Sequence, residues 1–162
     1  MRPIIAVSLL LAAFGCGRPR PASVTPQSPN AALADFMAAV KAKNITRMGN
    51  LFGTVRGPAA GRANPEYLKR QLQTIQKYWD HVGYRIIEGP LPAAPLNAEF
   101  KDVPSQDRMR DYRVELQRPS GCAQVGLMTM VQTDQGGWLV YDAHLESVGN
   151  PAARCAPPGT PP

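Results

Sequence analysis

Asp142 and His144 are the residues of this sequence whose types and spacing best fit catalysis. On a β-strand, a spacing of two places both side chains on one face. A carboxylate beside an imidazole can orient it for general-base chemistry. The same pair also fits the polar, solvent-facing side of a last strand that continues to Glu146. We favour this second interpretation because the alternate positions form a better core face. Those positions are Leu139, Tyr141, Ala143 and Leu145.

Other catalytic chemistry has little support in the sequence. The two histidines, His81 and His144, are far apart in the chain, and the sequence has no Cys-x-x-Cys motif, so we expect no metal and no cofactor. The three cysteines have other expected roles, which argues against a cysteine nucleophile. We expect no nucleic-acid partner, because the basic residues are spread out and the N-terminus predicts export.

The first 15 residues are typical of a signal peptide, with Arg2 before an apolar run too short to span a bilayer. Residues 12–16, Ala-Ala-Phe-Gly-Cys, resemble the lipobox of bacterial lipoproteins, in which the cysteine is acylated. The resemblance implies that Cys16 carries lipid. Because Gly17 follows, it also implies an outer-membrane lipoprotein that faces the periplasm. An ordinary signal peptidase also fits these residues and would leave Cys16 as a free thiol.

Residues 16–30 follow as a proline-rich segment with little apolar bulk, which predicts a disordered tether behind the lipidated cysteine. A second proline-rich segment, residues 149–162, ends the chain. If Cys16 carries lipid, Cys122 and Cys155 are left to pair. Cys122 begins one strand of a predicted hairpin whose other strand ends at Val148, so Cys155 can return to it. The disulfide would stabilise the fold by roughly 3–4 kcal/mol.

Residues 31–148 contain the predicted domain, and its first half is helical. Residues 31–42 repeat apolar side chains at helical spacing, with Asn30 as the expected N-cap. Asn44 opens a second short helix, and a glycine-containing loop follows over residues 53–63. Asn64-Pro65 starts a long third helix that is expected to stop at Gly83. His81 would then lie in its last turn, where the helix dipole favours a protonated ring.

The second half of the domain is predicted to be a meander of about four antiparallel strands. The strands cover residues 84–88, 112–117, 122–133 and 138–148, and residues 134–137 form the turn of the last hairpin. Val125, Leu127 and Val131 would share one face of the third strand. The sequence therefore predicts an α+β domain in which N-terminal helices pack on a curved antiparallel sheet.

This order of helices followed by a meander, with Gly-Gly-Trp-Leu-Val-Tyr-Asp at residues 136–142, resembles the nuclear-transport-factor-like superfamily, which includes ketosteroid isomerase. The resemblance covers residues 31–148. It implies a cone-like fold whose sheet wraps the long helix and leaves a pocket at the open end. It also implies that Tyr78, Tyr84 or Tyr112 can donate to a substrate carbonyl. Members include enzymes, binders and dimers, so a homodimer through the sheet is one expectation, and the fold does not decide the function.

Between Lys41 and Lys77 the chain has eight basic residues and the single acid Glu66. We expect a membrane-anchored envelope lipoprotein whose domain binds a small apolar ligand or an envelope protein without catalysis. The alternative is a small isomerase, dehydratase or hydrolase that uses His144 and Asp142. A third interpretation is a structural or assembly lipoprotein whose basic face meets acidic lipid or glycan, with liposome binding that salt weakens.

Overall fold

The computed structural model describes residues 25–94 and 104–151 and confirms the α+β class. Four helices and two antiparallel sheets make up this part of the chain. The helices are α1 (Pro29–Lys41), α2 (Ile45–Leu51), α3 (Pro65–Trp79) and α4 (Leu145–Val148). The strands are β1 (Gly53–Thr54), β2 (Gly57–Pro58), β3 (Gly83–Pro92), β4 (Met109–Gln117), β5 (Ala123–Gln132) and β6 (Trp138–Asp142).

Capping side chains set the starts of the three longer helices. Asn64 caps α3 as predicted and accepts two backbone N–H groups of the first turn. Asn44, predicted to open a short turn or helix, caps α2 and accepts the N–H of Arg47. The predicted cap of α1 is wrong. Ser28 is the N-cap, and α1 begins at Pro29, inside the segment assigned to the tether. Proline suits the first turn because the N–H groups there have no partner within the helix, so the N–H that proline lacks is not needed. Asn30 therefore lies within the first turn and is available for another contact.

The end of α3 also differs from the prediction. The helix stops at Trp79, and Asp80 takes an extended conformation with ψ of 132°. Gly83 does not stop the helix but begins β3, opposite Gln117 of β4. His81 consequently lies in the connection between α3 and β3 rather than in a helical turn.

The main sheet is the predicted antiparallel meander, with strand order β3-β4-β5-β6. Tyr112 of β4 lies opposite Met128 of β5, and Met130 lies opposite Val140 of β6. The predicted loop over residues 53–63 contains a second, two-stranded sheet, in which Gly53 pairs with Pro58. This small hairpin was missed because strands of two residues are too short to show alternation.

The core lies between the main sheet and the helices. Tyr112 and Val114 of β4 and Met130 of β5 are fully buried there against Phe36 of α1 and Trp79 of α3. The resemblance implied a pocket at the open end of the sheet. Neither cavity described below is lined by residues of the main sheet, and that pocket stays a prediction.

The last strand departs most from its prediction. β6 ends at Asp142, and the residues expected to continue it to Val148 form the short helix α4. Within β6 the predicted division into faces is confirmed, but the face that joins the main core is the opposite of the one expected. Val140 joins the main core, while Leu139 packs with Met109 and Val131 on the opposite side of the sheet. Both faces of β6 are therefore buried, so alternation could not identify one core face.

The chain before α1 is held against the turn between β5 and β6. The backbone N–H of Trp138 donates to the carbonyl of Pro26 at 2.7 Å, and Pro26 is buried. A Cβ atom at Gly137 would lie 2.4 Å from the Thr25 methyl carbon. Glycine at position 137 therefore allows this close approach.

Candidate functional site

The structure brings Asp142 and His144 together, but not on one strand. Asp142 is the last residue of β6, and His144 is the N-cap residue of α4. The His144 backbone N–H donates to Asp142 Oδ1 at 3.2 Å. The ring Nδ1 lies 3.0 Å from Glu146 Oε1 and 3.8 Å from Asp142 Oδ2. Glu146 is therefore the closer carboxylate partner of the imidazole.

The other ring nitrogen of His144 faces a buried hydroxyl. Nε2 lies 2.9 Å from Oγ1 of Thr129, and that hydroxyl donates to Asp111 Oδ1 at 2.6 Å. Nδ1 lies against Glu146 and Nε2 against Thr129, so each ring nitrogen has a hydrogen-bond partner within the domain.

The electrostatics of this network follow from its hydrogen bonds. The backbone N–H of Glu146, and after it the His144 ring, hold the pKa of the Glu146 carboxyl below its usual value. The carboxylate of Glu146 is thus kept as an acceptor. We interpret this hydrogen-bond network as structural. Its members come from β6, α4 and the β4–β5 pair, so it holds these elements together.

The tyrosines are not brought to His144. Tyr84 and Tyr112 occupy inward-facing positions on the main sheet, whereas Asp111 and Thr129 point from its opposite face. The Tyr112 hydroxyl donates to Oδ1 of Asn30, and burial raises the pKa of Tyr112 to about 12. Tyr78 packs against the main core. The expected hydrogen-bond donor for a substrate carbonyl is therefore not assembled beside the imidazole.

His81 and Arg118 are two buried polar residues. The sequence did not indicate that either of them is buried. Both side chains are 4% exposed. His81 Nδ1 donates to the Trp79 carbonyl at 2.9 Å, because a carbonyl only accepts. Burial lowers the pKa of His81, and the charges of Lys41 and Arg118 lower it further. The expectation of a favoured protonated ring is therefore wrong.

Arg118 holds the end of α3 to the β4–β5 connection. Its Nη1 donates to the Asp80 carbonyl and its Nε to Gln124 Oε1, both at 2.6 Å. Its Nη2 is buried and has no hydrogen-bond partner among the residues that the structure describes. No sequence pattern singled out Arg118, since an arginine before Pro119 reads as an ordinary turn residue.

An apolar groove lies between α2, α3 and the chain that joins β2 to α3. We call it the α2–α3 groove; its volume is about 440 Å³. Thr46 and Lys69 supply its polar side chains. Its apolar lining includes Ile45, Gly49, Ala60, Ala63, Leu68 and Leu72. A volume of this size falls within the roughly 300–1,000 Å³ of small-molecule sites.

A second hollow adjoins the groove. We call it the hairpin hollow; it measures about 290 Å³ and is lined by the β1–β2 hairpin together with Arg56, Arg62 and Ala63. Ala63 lines both the groove and the hollow. Sequence reasoning missed both cavities, although the small residues of segment 53–63 leave room that larger side chains would fill.

The predicted lipidation and disulfide sites are only partly described. Cys16 and Cys155 lie outside the described residues. Cys122 lies just before β5 and is disulfide-bonded. Its pairing with Cys155 stays a prediction, as does lipidation of Cys16.

In residues 25–94 and 104–151, no cluster of three or more His, Cys, Asp or Glu side chains is placed to hold a metal ion. No helix in the same ranges is long and apolar enough to cross a bilayer.

Comparisons with protein-family models, with curated proteins and with solved structures find no match to this chain. The α+β class is given by the structure itself. The resemblance to the nuclear-transport-factor-like superfamily stays a prediction.

Proposed function

We propose that this chain is a membrane-anchored envelope protein whose domain binds a small apolar or amphipathic ligand in the α2–α3 groove without catalysing a reaction. The observation that carries the proposal is the groove itself, about 440 Å³ in volume and lined mainly by apolar side chains. The anchor rests on the likeness of residues 12–16 to a lipobox.

The chemistry of the groove supports a ligand with an apolar body. Leu68 and Leu72 lie one helical turn apart on α3 and line the groove together with Ile45 of α2. Gly49 lies between them without a side chain, and a Cβ atom there would sit 3.4 Å from a Leu72 methyl group. Leu68 and Leu72 are already buried. An apolar ligand would mainly cover Ile45, Ala60 and Pro65, at about 25 cal/mol per Å² of apolar surface removed from water.

The state of His144 supports the absence of catalysis in this proposal. Its two ring nitrogens are already engaged by Thr129 and Glu146. The groove is lined by other residues and includes none of these three side chains.

The proposal can be tested with the neutral fluorescent probe N-phenyl-1-naphthylamine and the exported chain from residue 17 onward, which contains every described residue. We expect saturable binding to the wild type. The variant Ala63→Trp should weaken binding at least tenfold, because an exposed residue at the groove would place a large side chain inside it. The control Ala38→Trp changes an exposed position on α1 and should bind like the wild type.

A native mass spectrum of the same exported chain provides an independent check. An extra mass that disappears under denaturing conditions identifies a co-purified ligand and its chemical class. The proposal is contradicted if the probe does not bind, or if Ala63→Trp and Ala38→Trp bind it equally well.

A further inference from the structure

We infer that the ligand of the α2–α3 groove is a single-chain amphiphile of the fatty-acid type, whose carboxylate lies against Arg62 and Lys69. The inference rests on the proposed function and specifies the ligand of the same site. It comes from the way the apolar groove and the basic hairpin hollow meet at Ala63.

The apolar and basic surfaces are continuous at this junction. Arg62 lines the hairpin hollow, and the next residue, Ala63, lines both cavities. Lys69 lines the groove and directly follows Leu68, which is part of the apolar lining. A ligand that fills the groove therefore meets a cation within the groove and another at its junction with the hollow.

Among the described residues, every charged side chain that lines the two cavities is basic, and no acidic side chain lines either of them. Within residues 25–94 and 104–151, the side chains of Arg62 and Lys69 form no hydrogen bond or ion pair. Arg56 also lines the hollow, but it already interacts with another group. An anionic headgroup is the complement of these two cations.

The size and chemistry of the site favour a fatty carboxylate. A groove of about 440 Å³ lies in the lower part of the usual range for ligand sites, which suits one alkyl chain. A guanidinium group can hold a carboxylate through two parallel hydrogen bonds. Lys69 adds a second positive charge that needs no fixed geometry.

The test measures how well decanoate, decylamine and decanol displace N-phenyl-1-naphthylamine at low ionic strength. These molecules share one chain and differ in the charge of the headgroup. We expect decanoate to displace the probe at about tenfold lower concentration than decylamine, since each exposed ion pair contributes up to about fivefold. High salt should reduce this preference because the cations are exposed.

Two double variants with equal loss of charge locate the effect. Arg62→Gln with Lys69→Gln should abolish the preference for decanoate over decylamine. Arg70→Gln with Lys77→Gln removes two exposed cations of α3 that do not line either cavity, and it should keep the preference. All four replaced side chains are exposed, so both variants should fold like the wild type.

The outcomes separate this inference from the proposed function. If the probe itself does not bind, the proposed function fails and the inference falls with it. If the probe binds but decanoate and decylamine displace it equally, the groove stands and the carboxylate inference is overturned. Stronger displacement by decyl phosphate than by decanoate would overturn the fatty-acid assignment in favour of a phosphate headgroup.

Discussion

Burial decides the behaviour of individual polar residues in this domain more than their place in the sequence. His81 was expected at a helix end that favours its charged form, yet the structure buries the ring beside Lys41 and Arg118. The free energy needed to remove an imidazolium from water exceeds the stabilisation by a nearby dipole, so the neutral ring is favoured. The lowered pKa of His81 is the signature of this balance.

We predict that His81 makes the domain less stable below about pH 6.5, the ordinary pKa of an unfolded histidine. The folded state has the lower pKa, so the unfolded chain binds the proton more readily as the pH falls. The stabilisation is complete above pH 6.5 and is lost as the pH falls towards the folded pKa. Urea unfolding at several pH values should show this loss in the wild type and a smaller loss in His81→Gln. Parallel curves for the two proteins would contradict the prediction.

The candidate catalytic residues show what sequence spacing can and cannot give. Asp142 and His144 were found from their spacing, and the structure does place them together. Asp111 and Thr129 were not found, because they reach His144 only through the register of β4 with β5. That register depends on strand pairing across the sheet, which no local pattern records.

At the level of elements, one glycine allows α3 and α4 to pack closely on the main sheet. Gly126 of β5 lies opposite Val114 of β4. A Cβ atom at Gly126 would lie 2.8 Å from Val148 Cγ2 and 2.9 Å from Trp79 Cη2. Trp79 is fully buried and donates from its indole N–H to the Ala143 carbonyl at 2.7 Å, so it has little freedom to move.

Gly126→Ala should therefore lower the free energy of unfolding by about 1–3 kcal/mol, the usual cost of overpacking a core. Gly83→Ala is the matched control on β3. Its new methyl group meets only the end of the exposed Gln117 side chain, at 2.8 Å, and that side chain can move aside. Chemical denaturation of both variants checks the prediction. Equal stability of Gly126→Ala and Gly83→Ala would show that Trp79 and Val148 yield easily.

Chemical signals located some element boundaries and misplaced others, since the cap assigned to Asn30 and the stop assigned to Gly83 were both wrong. Asn44 and Asn64-Pro65 indicated the starts of α2 and α3, because a capping side chain acts within one turn of the helix. The residues from Ala143 to Val148 alternate apolar and polar side chains over a short stretch, which fits a strand as well as a helix. In the structure this stretch ends in the helix α4 rather than in a strand, and Val148 of α4 packs in the main core. The local pattern does not record this packing.

At the level of the whole molecule, a disulfide joins Cys122, just before β5, to another cysteine. Cys122 follows the turn after β4 and is disulfide-bonded. We predict that its partner is Cys155. The exported chain from residue 17 should then show no reactive thiol when unfolded without reductant, and Cys155→Ser should show one. Two reactive thiols in the wild type would contradict the pairing. Reduction should cost roughly 3–4 kcal/mol of stability.

The contact between Pro26 and Trp138 limits the distance at which the domain can lie from Cys16. Fixed structure begins by Thr25, only nine residues after Cys16. At about 3.3–3.6 Å per residue, that segment can extend no more than roughly 30 Å. If Cys16 is the anchor, the domain would stay close to the bilayer surface. A fatty acid that leaves the membrane would then meet the groove before it reached open solution, so supply would depend on proximity as much as on affinity.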